Sequence, residues 1–217
     1  MNKKEVLDAL KKIKADSKQR KFKQSIDFIV NFKDLDLKKS EEQVEFFATL
    51  HHETGRKVKV CAFAAAELEE EAKKTCDTVI MQADFEAYKK DPGKAKKLAA
   101  EHDFFIAQAN IMPQVAGAFG RVLGTRGKMP NPKAGLVVPP KATLAPLVKK
   151  LQTTMKISAK KMPIVQIRIG TQDQEDEIIA DNVMTIYDQI IHHLPNEHHN
   201  IKNTYLKLTM GKPVKLM

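Results

Sequence analysis

The 217-residue chain contains no tryptophan, three tyrosines and only 6% aromatic residues. Reading single-stranded nucleic acid by stacking successive bases needs aromatic platforms, and this composition does not supply them. Cysteine is also scarce: Cys61 and Cys76 each sit beside apolar residues in expected strands, where a reduced thiol acts as a small core side chain. A disulfide framework is excluded, and a reducing, cytoplasmic location is expected. Long apolar runs are missing too. The longest, Val60 to Ala66, falls far short of the roughly 20 residues that a membrane-spanning helix needs. The opening MNKKEVLDALKKIK reads as an amphipathic helix without a signal-peptide core, so a soluble, unexported chain with no membrane partner is expected.

The most telling absence is of acid. No Asp or Glu occurs from Phe104 through Gln172, a stretch that holds Arg121, Arg126, Lys128, Lys133, Lys141, Lys149, Lys150, Lys156, Lys160, Lys161 and Arg168. The chain carries 37 Lys+Arg against 27 Asp+Glu, a formal net charge of +10, and this block accounts for the whole excess. Residues 1 to 23 are a second basic region, with nine Lys/Arg against Glu5, Asp8 and Asp16. Segregated positive charge is the electrostatic footprint of a polyanion-binding surface. An anionic membrane suits it less well, because Pro and Gly interrupt the block and no single basic amphipathic helix results.

Apolar spacing divides the chain into three parts. Asn2 and Glu5 form a capping box ahead of Val6, Leu7, Leu10 and Ile13 at helical spacing. Phe22, Ile26, Phe28, Val30 and Phe32 share one parity and predict a strand, and Val44 to Leu50 predicts a second. At the far end the pattern predicts a strand over Pro163 to Ile169, a helix from Ile178 stopped by Pro195, and a last strand from Thr204 to Met210 ending at Gly211. Between these ends strands and helices alternate strictly: Val58 to Phe63, Thr78 to Met81, Phe104 to Gln108 and Leu136 to Val138 are strands, each followed by helical sequence. Alternation of this kind implies a parallel sheet covered by helices. Each terminal piece, about 55 to 60 residues, is marginal alone. Together they supply a four-stranded sheet with two helices. The expected architecture is therefore α/β and α+β: a split α+β domain, residues 1–55 plus 156–217, carrying an inserted Rossmann-like parallel α/β domain, residues 56–155, with a hinge near Gly55 and Lys156.

Catalytic and cofactor motifs fail on inspection. The segment GRVLGTRGKMPNPKAG, Gly120 to Gly135, packs glycines, prolines and cations as a nucleotide loop does. However, Val122 stands where a phosphate loop requires Gly, and Met129 follows Lys128 where Ser or Thr should hold magnesium. The first strand–helix turn of the insert, Phe63-Ala64-Ala65-Ala66, has no glycine, which removes a dinucleotide fingerprint. An extended, rigid loop against RNA is the better reading of the segment. His192, His193, His198 and His199 cluster around Pro195 but read as a polar helix end, so no metal is expected. Asp27 and Asp77 have no evident catalytic partners. The rival class is a small α/β enzyme using a phosphorylated cofactor, and a further reading is a free-standing messenger repressor.

Three segments in order, RKFKQSIDFIVNF (Arg20 to Phe32), GRVLGTRGKMPNPKAG and YLKLTMGKPVKL (Tyr205 to Leu216), resemble the ribosomal protein L one family, the large-subunit stalk protein in its archaeal-eukaryotic form. The resemblance covers essentially the whole chain. It implies a non-enzymatic protein without cofactor or metal, monomeric off the ribosome, that binds a folded site on large-subunit ribosomal RNA. It further implies a part in releasing exit-site transfer RNA and, in many members, repression of translation through the protein's own messenger RNA. In the family the specific RNA surface lies where the start of the first strand meets the end of the last. This carries over to Phe22, Lys23 and Ser25 and to Thr209, Met210 and Gly211. Bacterial-type members usually carry an acid where this chain has Lys23. Parity alone would bury Phe22 and Met210. Arg20, Lys21, Arg121, Arg126, Lys128, Lys133 and Arg168 are expected to add phosphate contacts, which position RNA without reading it.

Overall fold

The computed structural model describes residues 1–18, 20–39, 42–160 and 162–216; Lys161, counted above in the acid-free block, lies outside them. In chain order the elements open with α1 (Lys3–Ala15), β1 (Ser25–Phe32), β2 (Val44–Thr49), β3 (Val60–Ala64), α2 (Glu69–Thr75), β4 (Thr78–Met81) and α3 (Phe85–Lys90). They continue with α4 (Pro92–Glu101), β5 (Phe104–Gln108), α5 (Met112–Thr125), β6 (Val137–Val138) and α6 (Ala145–Thr153). They close with β7 (Thr154–Ala159), β8 (Ile164–Thr171), α7 (Asp176–His192), β9 (Ile201–Leu208) and β10 (Val214–Lys215). The chain divides into two compact units, Met1–Arg56 with Thr153–Met217, and Lys57–Gln152. One is built on antiparallel sheets and the other on a parallel sheet, so the architecture is mixed α/β.

In the first unit the four-stranded sheet runs β10-β9-β1-β8, antiparallel throughout. Alternation along β1 buries Ile26, Phe28, Val30 and Phe32, which pack with Val6, Leu10 and Ile13 of α1 and with Ile179, Val183, Ile186 and Ile190 of α7. Each such aliphatic or aromatic side chain removed from water contributes about 1.5–3 kcal/mol, which outweighs the weak intrinsic helicity of short segments. α1 begins where the Glu5 carboxylate accepts the Asn2 N–H at 3.2 Å. Asp176 and Glu177 place negative charge in the first turn of α7, against the positive end of its dipole.

The sheet's membership differs from the sequence reading. Val44–Thr49 does not join the four-stranded sheet; it pairs with β7 in a separate two-stranded sheet, from Val44 opposite Ala159 to Thr49 opposite Thr154. The fourth strand of the main sheet is β10, two residues long and therefore without periodicity to detect. β7 follows α6 without a break, so the helix pattern masks it, and the first unit resumes at Thr153 where the reading placed residue 156. The last long strand stops at Leu208 and the first starts at Ser25.

In the second unit the parallel sheet has order β4-β3-β5-β6. One face is covered by α3, α4 and α5 through Phe85, Leu98, Val115, Phe119 and Leu123, the other by α2 and α6 through Leu68, Ala72 and Leu151. Phe63, Phe85, Phe105 and Phe119 form an aromatic cluster, with Phe63 and Phe119 centroids 4.7 Å apart. Cys76 is not in a strand: it ends α2, whereas Cys61 lies in β3. Burial pushes both thiols above the ordinary range. The Gln152 amide bonds both the N–H and the C=O of Val58, at 2.9 and 3.0 Å, which ties together the two ends of this unit.

Candidate nucleic-acid interface

At one end of the antiparallel sheet's two central strands the start of β1 meets the end of β9. Ile26 and Leu208 are the last ladder pair, and beyond them a side chain continues the pattern. The Thr209 N–H donates to the Ser25 carbonyl at 3.0 Å. In return the Ser25 N–H donates to the Thr209 hydroxyl at 3.0 Å, and the two hydroxyls lie 3.0 Å apart. Thr209 and Met210 then turn, closed by the Gly211 N–H on the Leu208 carbonyl at 3.0 Å. A Cβ on Gly211 would lie 3.1 Å from Leu208 Cβ, a tight contact that a side chain here could take only if Leu208 shifted by a few tenths of an ångström.

Because β9 has ended, Met210 is not core: it is 61% exposed. Phe22, upstream of the start of β1, is likewise 50% exposed. The parity that would bury both residues does not extend to them. What occupies the buried parity is Gln24, only 2% exposed, whose Oε1 accepts the Met210 N–H at 3.1 Å and whose carbonyl accepts the Gln172 N–H at 3.0 Å. Sequence reasoning missed Gln24, although a polar residue in step with Ile26 and Phe28 was its signal. Lys18, Arg20, Gln24, Met210, Gly211 and Lys212 line a cleft of about 420 Å³ together with Asp16 and Ser17. Lys18, Arg20 and Lys212 form no ion pair among the described residues, and Lys18 and Lys212 are further residues the sequence reading did not single out. Lys21 is exposed beside them, whereas Lys23 is paired with Asp173 at 2.8 Å, a bond that raises its pKa.

Arg168 lies on β8, two residue pairs along the ladder from Ser25. It pairs in register with Asp27, which also faces Lys207, so the row Lys207, Asp27, Arg168 crosses the open face of the sheet. Burial raises the Asp27 pKa, and the Arg168 and Lys207 charges oppose that rise. Asp77 is partnered as well, by Lys57 at 2.8 Å and by the Val60 N–H at 3.0 Å. The segment Gly120 to Gly135 is only partly a loop, since its first six residues complete α5. Gly127 (φ 64°) and Gly135 (φ 71°) take the left-handed conformation that glycine tolerates best. Lys128 is not free for phosphate: its Nζ donates to the carbonyls of Ala99 and His102 at 3.0 and 2.6 Å, at the end of α4. Arg121, Arg126 and Lys133 are exposed.

The carboxyl ends of the parallel strands, where a cofactor would sit, carry side-chain bonds of their own. In a parallel sheet of order β4-β3-β5-β6, ligands sit beyond the carboxyl ends of β3 and β5, where the strand order reverses. There Gln108, 1% exposed, takes the Ala65 N–H on Oε1 at 3.0 Å and donates to Glu67 at 3.2 Å. One backbone donor at the end of β3 is thus used, and beyond β3 and β4 a cleft of about 750 Å³ remains, lined by Ala66, Gln82, Glu86, Lys89, Gln114 and Gly117 among others. Among the described residues no group of three or more His, Cys, Asp or Glu is placed to hold a metal. His193 instead stacks on Phe46, ring centroids 3.8 Å apart, and bonds the Gln189 carbonyl. Nor is any described helix long and apolar enough to cross a membrane.

An antiparallel split unit interrupted by a parallel one, with unpaired cations around an exposed apolar edge, defines a two-unit α/β protein with a surface suited to a polyanion. Residues 10–212 match the ribosomal protein L1p/L10e family. The chain is 42% identical over 214 residues to the large ribosomal subunit protein uL1 of Methanobrevibacter smithii, covering 98% of this chain and 99% of that one. It is 40% identical over 212 residues to the uL1 of Thermococcus kodakarensis, covering 97% and 96%. With the uL1 of Nanoarchaeum equitans the identity is 39% over 215 residues, covering 97% and 99%. The chain belongs to the ribosomal protein L1p/L10e family, a family of structural ribosomal proteins and not of enzymes.

Proposed function

We propose that the protein is a structural component of the large ribosomal subunit in the cytoplasm, and that its split unit binds a folded site on the large-subunit ribosomal RNA. The observation that carries this reading is the exposure of Phe22 and Met210 at one sheet edge, beside a cleft rimmed by Lys18, Arg20 and Lys212. Two large apolar side chains left in water forgo stabilisation, and grouped with unpaired cations they suit a ligand with both apolar and anionic faces. RNA offers ribose and base surfaces beside phosphates, and 2′-hydroxyls that polar edges recognise. Ser25, Thr209 and Gly211 hold the turn that presents Met210, and Lys23 flanks it. Arg20 and Lys21 add charge at this edge. Arg121, Arg126 and Lys133 add it from the inserted unit, residues 57–152, and Arg168 from the sheet beside Asp27, whereas Lys128 is bonded within the protein. The full reading includes help in releasing exit-site transfer RNA, repression of translation through the protein's own messenger RNA, and a monomer off the ribosome, all of which rest on the family resemblance.

The test is titration of the full chain and of Phe22→Ala and Met210→Ala against ribosomal RNA of the large-subunit stalk region and against a scrambled RNA. Each substitution is expected to weaken stalk RNA by about tenfold, an apolar loss of about 1.4 kcal/mol, and to leave scrambled RNA unchanged. Equal affinity of wild type for both RNAs, or undiminished discrimination in both variants, overturns it.

A further inference from the structure

The chain has nine methionines, and among the described residues two of them stand in water. Met162 is 64% exposed and Met210 61%, whereas Met1, Met81, Met112, Met129, Met155 and Met184 are half-buried. The two exposed ones lie at opposite ends of the antiparallel sheet. Met162 precedes β8, whose first residue Ile164 lies opposite Asn31; Thr171, at the other end of β8, lies opposite Ser25, whose partner Thr209 precedes Met210. The backbone at Met210 is fixed. Its N–H donates to Gln24 Oε1 at 3.1 Å, and the Gly211 N–H donates to the Leu208 carbonyl at 3.0 Å. Met1, Met155 and Met184 pack against the core of the first unit, whereas the Met210 thioether is held out in solvent. The two cysteines offer an oxidant less. The thiolate is the reactive form, and burial pushes both thiols up, which keeps them protonated.

A thioether needs no ionisation to react with a peroxide, so access to the sulfur governs where oxidation falls. We propose that Met210 is a reversible oxidation site through which peroxide weakens RNA binding at this surface. An S–O bond forms as the peroxide O–O bond breaks; the sulfur is oxidised by two electrons, and hydrogen peroxide is reduced to water, which keeps both protons. The product, methionine sulfoxide, is polar where the thioether is apolar. Two effects then act in the same direction. Phe22 is left as the remaining large apolar side chain of the surface, and pressing an S=O dipole against ribose or base without a donor is unfavourable. The sulfoxide oxygen is also an acceptor in the cleft that Met210 lines with Lys18, Arg20 and Lys212, where it competes with RNA phosphate for those cations. The fold is spared, because the exposed side chain supports no core. A methionine sulfoxide reductase can reach the group and return it to the thioether, a dithiol being oxidised to a disulfide as the oxygen leaves in water. Met162, equally exposed at the far end of β8, is oxidised alike without touching this surface, so the chain carries its own control. The inference rests on the RNA-binding reading above and concerns the regulation of that site.

The experiment treats the full chain with dilute hydrogen peroxide, follows each methionine by peptide mass spectrometry, and titrates the product with stalk and scrambled RNA. Met162 and Met210 are expected to oxidise ahead of the half-buried methionines. When both are sulfoxides, affinity for stalk RNA should fall about tenfold, the factor expected for losing the apolar contact, while scrambled RNA and the urea midpoint hold. Methionine sulfoxide reductase with dithiothreitol should restore the affinity. In Met210→Leu, whatever its own affinity, the ratio of treated to untreated should stay near one; Met162→Leu should lose affinity on treatment as wild type does. Met210→Gln, polar and of similar length, should bind stalk RNA more weakly than Met210→Leu with no oxidant present. Undiminished binding by wild type whose Met210 is fully oxidised overturns the inference, and so does an equal loss in treated Met210→Leu. Oxidation of Met210 no faster than that of Met155 and Met184 overturns it too, as does a fall in the urea midpoint that accounts for the loss. The RNA-binding reading fails separately, in the untreated protein, if wild type binds stalk and scrambled RNA equally, and the inference falls with it.

Discussion

Replacing Thr209 by valine keeps the size and branching of the side chain and removes one oxygen. That oxygen accepts the Ser25 N–H at 3.0 Å and lies 3.0 Å from the Ser25 hydroxyl and 3.3 Å from the Ser25 carbonyl. The position is exposed, so the freed Ser25 N–H can turn to water, and the cost is the net worth of one hydrogen bond, about 0.5–1.5 kcal/mol. Its effect is local. The clamp sets where β9 ends and fixes the turn that presents Met210, so loosening it by about 1.4 kcal/mol opens the edge tenfold more often. Hydrogen exchange at the Ser25 amide of the full chain should quicken about tenfold, while amides in the middle of β1, such as Phe28, should not change. Affinity for stalk RNA should fall by up to the same factor and affinity for scrambled RNA should hold. Thr209→Ser keeps the hydroxyl and should restore both readings. If Thr209→Ser is as impaired as Thr209→Val, the methyl group matters and not the clamp. If Thr209→Val exchanges Ser25 at the wild-type rate, the hydroxyl does not hold the edge.

Four further outcomes follow from the geometry. Thr204 is fully buried and its hydroxyl has no partner among the described residues, so Thr204→Val should leave urea stability unchanged or raise it by about 1 kcal/mol; a loss of that size would mean the hydroxyl is bonded after all. Gly55→Ala must hold an alanine at φ 73° with its Cβ 2.7 Å from Thr171 Oγ1, and should destabilise by at least about 1–2 kcal/mol in the same assay. Burial raises the Asp27 pKa, so ionising it costs stability that a protonated or amide side chain does not lose. Asp27→Asn should therefore match or exceed wild type at neutral pH, and the gap should close as pH falls through the carboxylate range; a gap that widens on acidification refutes the sign. Finally, a variant in which Arg56 is joined by a short linker to Thr153, omitting residues 57–152, should unfold cooperatively and still discriminate stalk from scrambled RNA.

What the sequence made legible depended on how many residues enforce a pattern. α7 repeats its apolar stripe over Ile179, Val183, Ile186 and Ile190, and the parallel strands of the second unit are short apolar runs fenced by helices, so both could be read directly. β10 has two residues and β7 runs on from a helix, so neither carries enough period to be seen, and without them β2, whose partner is β7, reads as a member of the four-stranded sheet. The candidate edge was harder for a related reason. Alternation predicts burial only while the ladder lasts, and it ends at Ser25 and Leu208, just short of Phe22 and Met210. The residues that matter most there are those whose apolar character is not explained by the core.

Charge shows the same limit. Counting cations along the chain finds the acid-free block, but a cation is available to a ligand only if the fold has not already used it. Lys128 is held by two carbonyls, and Lys156 and Lys160 share Glu45, so these three members of the block already serve the protein. Conversely, Lys18, Lys212 and Lys96 stand outside the block and line clefts without ion-pair partners among the described residues. Pairing within the fold therefore redraws the cationic surface: a compact rim at the sheet edge of the first unit, beside exposed apolar side chains, and a groove between two helices of the second. The first combines apolar and charged groups, and the second carries charge on plain walls.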